Sequence, residues 1–185
     1  MMINYKKWNT ILGWCFFAVA TIVYFITIED TVSLWDCGEY ITAAYKLEVG
    51  HPPGAPLFMA IGRLFSFFAE PAQVAVWINR LSALSSSLTI LFMFWSLTLL
   101  IKKLILNKKE VLSNNDVIAI FVSAGIGSLA YTFTDSFWFS AVEGEVYAMA
   151  SLFTAAIFWA ILKWDEEMEW MQKEQPNTGS SPHRW

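Results

Sequence analysis

Charge is scarce in this chain: only 15% of its 185 residues are Asp, Glu, Lys or Arg, against about a quarter in soluble globular domains. With 56% hydrophobic content and a mean hydropathy of +0.46, that scarcity excludes a soluble domain. Two cysteines, Cys15 and Cys37, are too few for a disulfide framework and support no redox inference. No phosphate-cradling glycine loop, nucleophile elbow or HExxH motif occurs, and no Cys/His spacing supports a zinc site. Positive charge is also short: the net charge of −4 and a pI of about 5.1 argue against nucleic acid as a partner. What is abundant is aromatic, with ten Trp and fifteen Phe, which argues against disorder.

Four charge-free stretches stand out: Ile11 to Ile28, Leu81 to Ile101, Val117 to Thr134 and Val146 to Leu162. At ~1.5 Å per residue, each approaches the ~30 Å hydrocarbon layer, so the fold class is all-α and polytopic, with four membrane spans. A fifth apolar stretch, Leu57 to Phe68, is short and carries Arg63. Its residues Leu57, Ile61, Leu64, Phe65 and Phe68 recur at helical spacing and leave Gly62, Arg63 and Ser66 on another side, which predicts a helix lying on the membrane. The first apolar run is long for a secretory leader and lacks a small-x-small site before Glu29, so it reads as an uncleaved anchor.

Positive residues set the expected direction. Lys6 and Lys7 precede the first span, Lys102, Lys103, Lys108 and Lys109 follow the second, and Lys163 closes the fourth. Four spans put all of these on the cytoplasmic side of an inner membrane, N-terminus included. Cytoplasmic segments then hold nine basic and seven acidic residues, and outer segments three and nine. The outer face is acidic.

On this topology the residues divide into a membrane domain, 1–164, and a polar cytoplasmic tail, 165–185, which reads as a solvated helix end followed by disorder. Residues 29–80 form one outer loop, far longer than a connector requires. Ser33 is placed to cap a helix from about Trp35 to Leu47, which Gly50 ends. Pro52, Pro53 and Pro56 then enforce an extended turn, and after Pro71 a short segment leads through Trp77 and Arg80 into the second span. The second outer connection, 135–145, is short.

Asp36 and Glu39 are three apart, so a helix puts both carboxylates on one face, with Tyr40 beside them. Partial dehydration at the membrane surface favours proton transfer by such groups. Taken alone, Asp36 also reads as a complement to the helix dipole and Glu39 as a wetted acid. His51 sits beside a rigid Pro-Pro unit, as a ligand-positioning group or as a simple turn residue. Arg63 and Arg80 suit lipid phosphate, or plain snorkelling to headgroups. Glu143 and Glu145 fall where the third span meets the fourth; acids buried there need a cation, whereas acids reaching water are ordinary loop residues. Opposed acidic clusters from the two outer loops could take a divalent metal ion through oxygen ligands.

The strings Trp35-Asp-Cys-Gly-Glu-Tyr40, Gly50-His-Pro-Pro-Gly-Ala-Pro56 and Phe139-Ser-Ala-Val-Glu-Gly-Glu-Val-Tyr147 together resemble the bacterial membrane family known as domain of unknown function 2723. That family resembles GT-C glycosyltransferases, the class of the protein O-mannosyltransferases, over Trp14 to about Trp164. The resemblance implies one span, a long outer loop with an acid and a His/Tyr-Pro-Pro turn, and a second span returning inward. It implies Asp36 as the catalytic acid of the first loop, Glu39 as its neighbour, and His51 in the turn shaping the donor pocket. Glu143 or Glu145 would be the second acid. From the chemistry such a transfer needs, positive charge at the departing phosphate would come from Arg63, Arg80, protonated His51 or a metal, and Tyr40 and Tyr147 join the two arginines as expected substrate contacts. The donor would be a polyprenyl-phosphate sugar, the acceptor a Ser/Thr hydroxyl of an exported protein, and the transfer inverting. GT-C enzymes continue well beyond this length, so a fragment without a complete active site is expected. Two other classes stay open: a transporter or ion-pathway subunit using Glu143 and Glu145, and a non-catalytic membrane scaffold.

Overall fold

In a computed structural model that describes residues 3–52 and 54–174, the chain folds into seven α-helices and no strand among the described residues. In chain order they are α1 (Tyr5–Ile26), α2 (Cys37–Lys46), α3 (Pro56–Ser66), α4 (Val74–Leu106), α5 (Asn114–Thr132), α6 (Asp135–Val142) and α7 (Val146–Glu174). The expectations for Pro53 and for a disordered end past Glu174 lie outside the described residues.

Four of the helices, α1, α4, α5 and α7, are long and apolar enough to cross a membrane. The protein is all-helical and multi-pass. The spans run beyond their charge-free stretches because polar residues are accommodated at helix ends. At the start of α1 the Asn4 side chain accepts from the Lys7 amide at 3.0 Å, so both lysines join the first turn. A reciprocal capping box between Ser113 and Asp116 opens α5. The last turns of α7 are held by ion pairs: Lys102 with Glu166 at 2.7 Å, and Lys103 with Glu169 at 2.6 Å. These pairs draw the polar segment after Lys163 into the helix.

α4 lies at the centre, packed by α1, α5, α6 and α7. Its buried Ser82, Ala83, Ser85, Ser86 and Ser87 are small, which lets neighbouring helices approach closely where no water drives association. The Ser87 hydroxyl donates to the Ala83 carbonyl at 2.8 Å, keeping its polarity within the helix. Aromatic side chains fill the wider gaps. Tyr24 is fully buried, and its hydroxyl donates to the Thr132 carbonyl at 2.9 Å.

Contacts at the two ends fix the up-and-down order. At one end the Ile3 amide donates to Asn114 Oδ1 at 3.0 Å and the Tyr5 hydroxyl to the Thr98 carbonyl at 3.3 Å. The start of α1, the end of α4, the start of α5 and the end of α7 therefore share one end. At the other, the Glu29 amide donates to the Val142 carbonyl at 3.2 Å and Asn79 Nδ2 to the Glu29 carbonyl at 2.7 Å. All the lysines used to orient the chain fall on the first end, and both acidic connections fall on the second.

Several local expectations are corrected. Ser33 does not cap α2: the helix begins at Cys37 after Asp36, because Trp35 takes a left-handed conformation (φ 63°) that no helix continues through. Leu47, also left-handed at φ 55°, ends it three residues before Gly50. Trp77 and Arg80 belong to α4 itself, which starts at Val74 behind a short 3-10 turn, Pro71–Gln73. The connection 135–145 contains α6, whose Phe137 and Ala141 are four apart and buried together with Val142.

α3 departs from the predicted division, because its packed face carries large as well as small residues. Phe58, Met59, Gly62 and Ser66 are buried, whereas Leu57, Leu64, Phe67 and Phe68 are exposed. A Cβ at Gly62 would lie 2.9 Å from the Ala44 methyl, so only glycine permits this approach to α2. Of the predicted apolar stripe, Leu57, Leu64 and Phe68 face outward, as suits lipid, while Ile61 and Phe65 pack partly against the core. α2, α3 and the start of α4 share a core of Ile41, Ala44, Phe58, Met59 and Ile78 that fixes the outer loop on the bundle.

Candidate active site at the acidic end

Asp36 sits at the N-terminus of α2, its backbone carbonyl accepting the Tyr40 amide at 3.0 Å and its side chain in solvent. One turn on, Glu39 reaches back to His51. Glu39 Oε1 accepts the His51 backbone amide at 2.6 Å, and Oε2 faces His51 Nδ1 at 3.0 Å. Those donors, the backbone one first, hold the Glu39 carboxyl below the usual carboxylate range. An ionised carboxylate only accepts, so Nδ1 carries the proton and Nε2 is turned toward Asp36, whose Oδ2 lies 3.9 Å away. The Tyr40 ring, 5.9 Å from the imidazole between centroids, braces it from the side. Burial and the neighbouring acids raise the Tyr40 phenol above its ordinary value, keeping it a hydroxyl. The Gly54 amide closes the turn by donating to the His51 carbonyl at 2.8 Å.

The second acidic connection meets the first through Cys37. Its fully buried thiol is 3.2 Å from Glu145 Oε1 and 3.6 Å from Glu143 Oε2, and donates between them. Burial first, then the two carboxylates, push the thiol well above its usual pKa, so Cys37 is an inert donor rather than a nucleophile. Gly144 makes this junction possible. A Cβ there would stand 2.8 Å from Asn79 Oδ1 and 3.0 Å from Ile41 Cγ1. Asn79, 1% exposed, spends its amide on the Glu29 and Thr31 carbonyls and pins the start of the outer loop.

Asp36, Glu143, Glu145 and Tyr147 line one open cleft of about 510 Å³, walled by Leu34, Trp35 and Phe139. Of the sequence candidates, Asp36, Glu39, Tyr40, His51, Glu143, Glu145 and Tyr147 thus gather at one place. Arg63 and Arg80 do not line it. Arg63 donates to the Tyr45 carbonyl at 2.7 Å and lies over the Phe67 ring at 4.8 Å; Arg80 lies over Trp77 at 4.7 Å. Sequence reasoning missed Cys37 and Asn79. An Asn beside Arg80 at the start of a span was the available signal for the second; Cys37 offered none, since its partners lie 106 and 108 residues away.

Among the described residues, Cys37, Glu143 and Glu145 are the group whose ligand atoms could hold a metal ion, all within 4.8 Å of one another. The carboxylates suit a hard divalent cation, and a soft sulfur ligand is a poor third partner for one.

A family model described as the protein O-mannosyl-transferase TMEM260 N-terminal domain matches residues 36–181. The chain belongs to this family. The protein O-mannosyl-transferase tmem260 of Dictyostelium discoideum is 27% identical to it over 164 residues, covering 88% of this chain and 18% of the relative. Mouse protein O-mannosyl-transferase TMEM260 is 26% identical over 150 residues, covering 81% of this chain and 19% of the relative. The chain thus spans about a fifth of the length of these relatives. No solved structure matches. Every acid of the cleft lies within the TMEM260-like region, which begins at Asp36 itself. The family agrees with the glycosyltransferase resemblance carried by the three motifs.

Proposed function

We propose that this chain carries the catalytic outer loop of a GT-C-type membrane glycosyltransferase, related to the domain of unknown function 2723 proteins, that transfers a sugar from a polyprenyl phosphate to Ser/Thr hydroxyls of exported proteins. The observation that carries the reading is the convergence of Asp36, His51, Glu143 and Glu145 at the end of the bundle opposite the Lys102–Glu166 pair. Relatives named as protein O-mannosyl-transferases support the reaction class.

In this reading Asp36 is the general base. Its exposed carboxylate takes the acceptor hydroxyl proton as the oxygen attacks the anomeric carbon, the bond from that carbon to the phosphate oxygen breaks, and polyprenyl phosphate leaves. A single displacement inverts the anomeric centre. His51, with Nδ1–H committed to Glu39, presents Nε2 to the reacting groups, which makes Glu39 a positioning residue. Glu143 and Glu145 form the second acidic wall and the proposed seat of any divalent ion. Arg63 and Arg80, each held against an aromatic ring, serve as contacts to anionic headgroups at the membrane surface. The proposed orientation puts this end on the periplasmic side of an inner membrane, with the N-terminus in the cytoplasm.

The test is Asp36→Asn in the complete protein, read as transfer of labelled sugar from the lipid donor to an acceptor peptide. Loss of transfer with normal membrane insertion supports the base assignment. Transfer at the wild-type rate overturns it.

A further inference from the structure

The cleft has a second feature that proton transfer does not use. Its lining joins three acids, Asp36, Glu143 and Glu145, to large apolar and aromatic side chains, Leu34, Trp35, Phe139 and Tyr147. Trp35 is 92% exposed, the most exposed aromatic among the described residues, and Tyr147 across the cleft is 60% exposed. Trp35 also has the left-handed backbone, φ 63°, that a bulky residue adopts only under constraint. The strained residue is thus also one whose indole ring stands in water while lining an acidic cleft.

Charge and shape together select an occupant. Carboxylates repel an anion such as phosphate but accept hydrogen bonds from hydroxyl groups, and no cation lines this cleft. A pyranose ring has hydroxyls around its rim and a patch of C–H groups on one face, which matches carboxylates below and an aromatic plane at the side. On the transferase reading above, we infer that the cleft is the sugar subsite and that Trp35 is the platform on which the hexose ring stacks. The phosphate then lies outside the acidic lining. Trp35 binds substrate and takes no part in the chemical step.

Methyl α-D-mannopyranoside, a neutral hexose without phosphate or lipid, is the probe. With the protein in lipid nanodiscs, saturation-transfer NMR is expected to mark the ring C–H protons of one face. Trp35→Phe retains the signal, whereas Trp35→Ala loses about 5- to 10-fold. Trp35→Gly guards against misfolding, because glycine accepts the left-handed conformation without strain: it is expected to unfold at or above the wild-type temperature and still to lose the signal. Absence of saturation in the wild type, equal saturation in Trp35→Ala, or a Trp35-dependent signal from a Ser/Thr peptide in place of the sugar overturns the assignment. Trp35-dependent sugar binding in a protein whose Asp36→Asn variant transfers normally would leave the platform standing and remove the base.

Discussion

The two ends of the bundle treat charge in opposite ways. At the lysine end, cations meet acids directly: Lys102 with Glu166, Lys103 with Glu169, Lys163 with Glu166, and Lys109 with Asp116 at 2.8 Å. At the other end, Glu39 meets a histidine, Glu143 and Glu145 meet a thiol, and Asp36 stands 3.9 Å from an imidazole. Among the described residues the one Lys–carboxylate pair there, Lys46 with Glu48, is exposed and off the cleft. Paired charges hold helix ends in register and leave nothing for a substrate. Acids without cationic partners keep lone pairs free for hydrogen bonds to a ligand, which is why the proposed site sits at the unpaired end.

Four substitutions sharpen or break that contrast. The largest effect belongs to Asp36→Asn, which should cut sugar transfer by roughly 10²- to 10⁴-fold, the range for a lost general base, while circular dichroism in detergent stays unchanged. Next, Gly144→Ala forces a methyl against Asn79 and Ile41 and should destabilise the fold by about 1–3 kcal/mol, read by thermal unfolding. An unchanged unfolding temperature would show that the two acidic connections are not joined as described.

Glu39→Gln tests the histidine clasp through pH. The folded Glu39 carboxyl is held below its unfolded value, so the clasp stabilises fully above the ordinary carboxylate range and is lost as pH falls through the depressed value. The unfolding temperature of the wild type should exceed that of Glu39→Gln at neutral pH, and the gap should close on acidification. A gap that widens in acid would contradict the clasp. The smallest effect is expected from Lys103→Ala at the paired end: transfer unchanged and only a slight loss of thermal stability, since such exposed pairs are screened by water.

Much of the architecture was legible because membranes impose a one-dimensional rule. Charge-free length revealed the four spans, and the helical spacing of Leu57, Ile61, Leu64, Phe65 and Phe68 revealed α3, although Pro56, expected in the turn before it, is its first residue. Helix ends were less legible. Nothing local announced that Trp35 would turn left-handed or that ion pairs to α4 would carry α7 on to Glu174. The site divided the same way. Asp36, Glu39 and Tyr40 could be grouped by helical spacing, and His51 is only twelve residues from Glu39. Cys37 found its carboxylates on another helical connection, a contact that depends on how α2 and α6 dock on α4. Arg63 and Arg80 carried the right charge, yet local aromatic partners at Phe67 and Trp77 set their directions.

Sidedness tests the central claim most directly. In a Cys15→Ser background with Cys37 left buried, Val49→Cys beside His51, Ser136→Cys on α6 and Lys108→Cys at the lysine end are each treated in intact cells with a membrane-impermeant maleimide. The account predicts labelling at positions 49 and 136 without permeabilisation and at 108 only after it. Labelling of 108 from outside, or of 49 and 136 from opposite sides, would contradict a single acidic site on the outer face.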